Sequence, residues 1–507
     1  MAATPLPTST HIAEKEKNSE RASTDEDIEN RLHAPTYRAD VDTSGIDERK
    51  LLRKLDMRLI PWLSILYLLS FLDRTSIGNA KLYHLEDDLH ITDPQYLVSL
   101  SVFFITYALF EVPSNVFLKR LRPSLWLSLL MFLWGVIMMC QGLISNYGGL
   151  ISMRLLLGLF EAGLFPGCVD FYKREEFGIR AALFFSAATV SGAFGGLLAA
   201  AISNMHGVGG KPAWAWIFIL EGLATILAGI ASFWLVQDFP DTAKFLTETE
   251  RVFVIRRLQE DDQFSAAGEK LSMKYIWAAV FDLKTWIGML CYAGSDGPLY
   301  AFSLFLPSII NSYTATPANL LSVPVYAWAC IVTCCVGFLA DRIKRRGMFN
   351  LIFLGIGYAI LIGSRNAKLS YFAVYLAARH VGIYPLIPNT IAWVSNNVEG
   401  SYKRSVTLGM VIGFGNLNGV VSSNIYRSID KPWYRLGHSV VFGYICMGII
   451  TTAIMMVYLN RENTKRARGE RDENIAGIGS GVGGKYGSVE EAKRVKGDKW
   501  SGYLYTL

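Results

Sequence analysis

Apolar residues along this chain gather into long blocks separated by short polar stretches. Twelve blocks can be drawn, near 59–80, 96–116, 126–145, 149–171, 181–203, 214–236, 286–311, 319–340, 348–364, 370–394, 405–426 and 438–459. Most have the length that a helix rising about 1.5 Å per residue needs to cross about 30 Å of hydrocarbon. Gly and Pro interrupt several blocks, which neighbouring helices permit inside a membrane. The pattern predicts an all-α membrane protein of twelve transmembrane helices in two six-helix halves.

An even number of spans puts both chain ends on one side, and charge indicates which. Arg49, Lys50, Arg53, Lys54 and Arg58 precede span 1; Lys119, Arg120 and Arg122 follow span 2; Lys173, Arg174 and Arg180 follow span 4; Arg342, Lys344, Arg345 and Arg346 follow span 8. The alternate loops "SNYG" and "NSYTATPAN" carry no Lys or Arg, so the positive-inside rule predicts two cytoplasmic termini. Arg427, Lys431 and Arg435 after span 11 run against the bias. The predicted organisation is a disordered cytoplasmic tail (1–56), a six-helix half (57–237), a cytoplasmic linker (238–284), a second half (285–460) and a disordered cytoplasmic tail (461–507). The first tail lacks an apolar core, so no cleavable signal peptide is expected. "NVFLKRLRP" after span 2 and "GFLADRIKRRG" after span 8 form a weak repeat, a mark of transporters built from parallel halves.

Composition narrows the function. The chain of 507 residues is 51% hydrophobic and 18% charged, with 28 Phe, 24 Tyr and 12 Trp in or beside the apolar blocks. A net charge of +6 spread between loops gives no reason to expect a nucleic-acid partner. The seven cysteines show neither zinc nor disulfide-framework spacing. No phosphate-binding loop and no nucleophile–base set appear, so neither an ATP-driven pump nor a membrane enzyme is expected, and no cofactor or metal.

Charges inside the apolar blocks carry the chemistry. Asp73 and Arg74 interrupt "ILYLLSFLDRTSIGNA" in span 1; Arg154 and Glu161 lie two turns apart on one face of span 4, at similar depth. A charge at the bilayer centre costs on the order of 3 kcal/mol on the mildest scale, so such residues face the bundle interior and usually serve function. A guanidinium suits a carboxylate because it grips through two hydrogen bonds. A buried carboxyl suits a proton because burial and a neighbouring Arg push its affinity in opposite directions. Hence Arg74 and Arg154 are candidates for substrate charge, Asp73 and Glu161 for the proton. The competing reading is a set of interhelical ion pairs that fixes the bundle.

The sequence resembles the major facilitator superfamily through "GFLADRIKRRG", and within it the anion:cation symporter group, fungal allantoate permease and nicotinic acid transporter branch. The shared pieces include "LDRTSIGNA", "FEVPSN", "RLLLGLFEAGLFPG", "GAFGGLLA", "WIFILEGL", "PLYAFSLFLP" and "GIYPLIPNTIAWVSNNVEGSYKRSV". The resemblance implies a proton-coupled carrier of small organic anions, with Asp73, Arg74, Arg154 and Glu161 at its proton and substrate positions. Members for dicarboxylates or phosphate use a span-7 Arg, absent from "GSDGPLY" here, which points to a monocarboxylate such as nicotinate or allantoate. It further implies alternating access, a monomer in the plasma membrane, and substrate, proton and bilayer as partners. An exporter on the same fold and a non-transporting nutrient sensor are the rival readings.

Other polar residues within spans are secondary candidates. Tyr107 can donate its hydroxyl to substrate; Asn389, Asn416 and Asn418 can orient it or bind helices together. Arg379 and His380 can supply a second-half cation or proton relay, or Arg379 pairs with Asp296. Asp341 and Arg342 suggest a conformational latch. Gly409/Gly413 and Gly415/Gly419 predict close helix approach.

Overall fold

The structure, a computed structural model, describes the chain apart from residues 1–36, 163–170, 175, 262, 264–272, 312–317, 353–355, 364, 365, 367, 371, 374–382, 476–484, 487 and 488. The helices of the first half are α1 (Glu48–Leu82), α2 (Asp93–Arg120), α3 (Pro123–Gln141), α4 (Tyr147–Glu161), α5 (Phe177–Ile202) and α6 (Ala213–Leu235). A linker helix, Glu248–Glu260, leads to α7 (Leu283–Asn311), α8 (Ala318–Ile343), α9 (Arg346–Ile352), α10 (Ile383–Asn396), α11 (Ser401–Asn424) and α12 (Arg435–Ala467); Ile356–Gly363 lies between α9 and α10. Among the described residues eight helices are long and apolar enough to cross a membrane. A bent pair, Met273–Val280 with Leu283–Leu306, makes a ninth. Blocks 4, 9 and 10 fall on α4, α9 and α10, and each extends into residues outside the description.

Local chemistry sets where helices begin. Asp47 accepts the amides of Arg49 and Lys50 (3.0 and 3.2 Å), so α1 starts well before its apolar block. Leu51, Leu55, Leu59, Leu63 and Leu66 then bury one continuous stripe. Residues 48–56, predicted as tail, therefore belong to the first helix. Thr92 with Gln95 caps α2, Asn146 caps α4 through the Gly149 amide (2.8 Å), and Thr247 with Glu250 caps the linker helix. Leu109, Leu227, Trp234, Phe338 and Ile450 stay exposed, giving the bundle an apolar exterior.

The halves meet along α2 with α11 and α5 with α8. A Cβ on Gly409 would lie 2.9 Å from Asn115 Nδ2, and one on Gly413 3.3 Å from the Ala108 carbonyl, so both glycines let α11 lie close on α2. On the face where α1 begins and α12 ends, Asp341 of α8 accepts the Ile179 amide of α5 and pairs with Arg346. At the other end Asn424 donates to Ser101 (2.8 Å) and Ser428 to Asp93 (3.1 Å). Described contacts thus join the two halves at both ends of the interface.

The second tail differs most from expectation. Composition predicts disorder over 461–507, yet α12 continues to Ala467, and Val489–Lys496 (α13) is followed by a strap packed on the second half. Asp498 pairs with Lys284 and with Lys403 (2.7 Å), and Lys403 also with Asp282 (2.7 Å). The Thr506 carbonyl accepts from Trp393 Nε1 (2.9 Å) and Asn397 (3.0 Å); Tyr503 donates to the Asn396 carbonyl (2.8 Å) and lies under Arg174 of the first half (4.7 Å). The polar composition hides three buried aromatic and ionic anchors, Asp498, Tyr503 and Tyr505.

Candidate functional site

The centre of the site is Arg74, 4% exposed although it sits amid apolar helices. Its Nε donates to Glu161 Oε1 (3.0 Å), and Nη2 makes a second, shorter contact with the same oxygen. Ser70, one turn earlier on α1, donates to that oxygen too (2.7 Å). Nη1 reaches across the interface between halves to the Tyr300 hydroxyl of α7 and to Asn416 Oδ1 of α11 (3.4 Å); Tyr300 itself donates to Asn416. One guanidinium thus joins α1, α4, α7 and α11.

Aromatic rings wall this cation. Its carbon lies 5.1 Å from the Phe71 ring, 5.4 Å from Phe103, 4.8 Å from Tyr107 and 5.6 Å from Tyr300. The negative ring faces stabilise a desolvated cation, and a small planar acid can stack between them. Tyr107 enters the site through this face.

Arg154 is fully buried over Phe103 (4.6 Å), so the same ring separates it from Arg74. Its Nε makes one long contact to the Ser99 carbonyl (3.4 Å), while Nη1 and Nη2 have no partner among the described residues. Glu161 likewise leaves Oε2 buried with no partner among them. A guanidinium fork and a carboxylate oxygen without partners are both costly to bury, on the order of 1–3 kcal/mol each or more when charged.

The four charges proposed from spans 1 and 4 do not form one cluster. Asp73 neighbours Arg74 in sequence but points the other way, between α1 and α6, where it accepts from Thr225 (2.8 Å) and has the Trp134 N–H nearby, outside good geometry for Oδ1. Successive residues on a helix project about 100° apart, so an Asp-Arg dipeptide cannot face one cavity. Beside Asp73 lies Glu221 of α6, bonded to Ser76, with Oε1 unpartnered. No sequence pattern singles out Glu221; the available signal was a lone acid within an apolar helix, in "WIFILEGL".

Asn416 belongs to the site, but Asn389 does not. Asn389 donates to the Arg346 carbonyl (2.9 Å) and to Asn350 (2.8 Å), within the network on the face where α1 begins. Asp341 is in that network, with Arg346 as its cation; Arg342 is exposed. The chain turns tightly after α8, and Arg346, buried where Arg342 is not, is the residue that reaches back. Gly178 is required there, because any side chain would overlap the Asp341–Arg346 pair. Arg379 and His380 lie outside the described residues.

Residues 63–423 match the model of the Major Facilitator Superfamily. An uncharacterised transporter of Schizosaccharomyces pombe is 36% identical over 439 residues, covering 84% of this chain and 89% of that protein. The high-affinity nicotinic acid transporter of Saccharomyces cerevisiae is 34% identical over 429 residues, covering 83% and 79%. Among solved structures, a bacterial homologue of the human lysosomal transporter Spinster, inward-facing and unoccupied, superposes with a TM-score of 0.54 at 15% identity, covering 81% of this chain and 96% of that one.

Proposed function

The chain belongs to the Major Facilitator Superfamily, a family of membrane transporters rather than enzymes, and from that premise we propose that it imports a small organic monocarboxylate together with a proton. The observation that carries this reading is the Arg74–Glu161 pair with its bare second oxygen. While Glu161 is ionised it occupies the guanidinium. A proton delivered to its carboxyl weakens the pair and frees Arg74 to take the substrate carboxylate through two hydrogen bonds.

Charge balance then supplies the coupling. Arg⁺ with Glu⁻ is neutral, and so is Arg⁺ with a protonated Glu and a substrate anion. Substrate without a proton would meet an Arg74 still occupied by ionised Glu161 and would bring a second anion to that one guanidinium, a penalty of several kcal/mol in a dry interior. Arg154 adds an uncommitted cation that draws the anion inward past Phe103. Asp73 with Glu221 forms a second acidic centre off the substrate path, where a shared proton offsets the repulsion of two desolvated carboxylates. The Asp341–Arg346 network and the Asn424–Ser101 contact are the opposed closures that alternating access must open in turn. Plasma-membrane residence, cytoplasmic termini and a monomeric state complete the reading.

Uptake of labelled nicotinate and allantoate by cells expressing the chain, at external pH 5 and 7, tests it. Faster saturable uptake at the lower pH is expected. Uptake equal at both pH values contradicts proton coupling, and uptake of neither acid contradicts the anion assignment.

A further inference from the structure

The second-half wall of the site carries an acid that no ion pair among the described residues accounts for. Asp296 lies on α7 one turn before Tyr300 and one turn after Tyr292, so the three side chains line one face. Tyr300 is the residue that receives Arg74, which sets Asp296 about 6 Å along the helix from the cation's own partner. Asp296 is 1% exposed; the Tyr292 hydroxyl serves its carboxyl, and Oδ2 has no hydrogen-bond partner among the described residues. The donors of Arg74 are already spent on Glu161, Tyr300 and Asn416, although Asp296 is within electrostatic reach of the guanidinium. On the neighbouring helix α11 of the same half it meets Gly415, next to Asn416; a Cβ there would sit 3.1 Å from Asp296 Oδ2 and overlap the Tyr292 ring. Arg74, Tyr300 and Asn416 thus form one end of a short polar track, and Asp296 the other.

We propose that Asp296 selects the substrate: a carboxylate whose far end presents a nitrogen able to share or donate a proton. This rests on the monocarboxylate reading above and sharpens it. A ring nitrogen or N–H facing Asp296 makes a hydrogen bond in which a single proton lies between nitrogen and carboxylate oxygen, whichever end formally holds it. An apolar far end leaves Oδ2 unpaired, and a site with an unpaired polar group rejects such an analogue strongly. A second carboxylate adds one more net negative charge to a desolvated site, whichever oxygen holds the shared proton. The absent span-7 Arg and the present span-7 Asp are then one device, which excludes dianions and admits nitrogen-bearing monoanions.

Three planar acids of matched size separate these cases: nicotinate, benzoate and isophthalate. Binding to the purified full chain by isothermal titration calorimetry is the measurement. Nicotinate is expected to bind at least about 10-fold more tightly than benzoate, with isophthalate undetectable. Asp296→Leu brings nicotinate and benzoate within about 2-fold of each other, and Asp296→Asn, which keeps shape without charge, admits isophthalate. Equal binding of nicotinate and benzoate by the native chain overturns the proposal, as does a preference that survives Asp296→Leu. Either result leaves the anion reading standing if both acids bind. Binding of none of the three overturns the anion reading and this proposal with it. Loss of proton-driven nicotinate uptake in Asp296→Asn, with the native preference intact, reassigns Asp296 to proton transfer and also overturns it.

Discussion

Two buried charge clusters in this molecule follow opposite rules. At the strap, Asp282 and Asp498 face Lys284 and Lys403, all nearly buried, two negative and two positive, and none of their charged atoms lacks a partner among the described residues. In the middle of the bundle, among the described residues, both terminal nitrogens of Arg154 and one oxygen each of Glu161, Asp73, Glu221 and Asp296 lack a hydrogen-bond partner. A satisfied buried network holds structure together. An unsatisfied one survives only if something else repays its desolvation, and in a carrier that role falls to substrate and proton. The difference separates a fastening from a binding site more sharply than burial or charge alone.

The largest expected effect comes from Arg74→Ala. It removes the anion anchor and strands Glu161, so uptake falls at least about 1,000-fold, or about 4 kcal/mol. Arg74→Lys keeps the charge but not the fork and rescues only a small part. Next in size is Lys403→Met, which leaves the two strap aspartates sharing one lysine. Thermal unfolding should show a loss of about 3 kcal/mol, with the KM of the remaining folded protein unchanged. A changed KM would break the distinction between the clusters.

Asp498 gives the comparison a pH axis. Burial opposes its ionisation, but the Lys284 and Lys403 ammonium groups outweigh burial and hold its carboxyl down at about 2. A depressed acid stabilises the fold fully above its unfolded value near 4, and that contribution, on the order of 2–3 kcal/mol, is lost as pH falls from about 4 through about 2. Asp498→Asn should lower stability by a similar amount at pH 7 and flatten the acid limb of the unfolding profile. The smallest effect sharpens the comparison from the other side. Arg154→Leu removes an unpaired buried cation, so unfolding stability holds or rises by about 1 kcal/mol while uptake falls about 10-fold. If Arg154 is instead a fastening between helices, stability falls and uptake holds.

What the sequence reveals divides along the same line. The spans were legible because about twenty apolar residues have few alternatives to a membrane helix, and Arg74, Arg154 and Glu161 stood out because charge there is expensive. Their grouping was less legible. Asp73 follows Arg74 through sequence adjacency, while helix geometry sends it to Thr225 on α6. Asn389 resembles Asn416 in type and setting, yet register puts it against Arg346. The strap was hidden because Gly-rich, charged composition reads as solvated chain, and nothing local announces that Asp498 meets two lysines 214 and 95 positions before it. Partners distant in sequence decide all three, and periodicity carries no information about them.

The central claim is that one proton on Glu161 releases Arg74 for one anion. The most direct test reconstitutes the native chain and Glu161→Gln in liposomes and follows labelled nicotinate, with and without an imposed inward proton gradient. Gln keeps the shape and the Ser70 contact but mimics the protonated acid permanently. Native protein should accumulate nicotinate only with the gradient. Glu161→Gln should bind and exchange nicotinate at every pH yet accumulate none. Gradient-driven accumulation by Glu161→Gln at the native level would contradict the account.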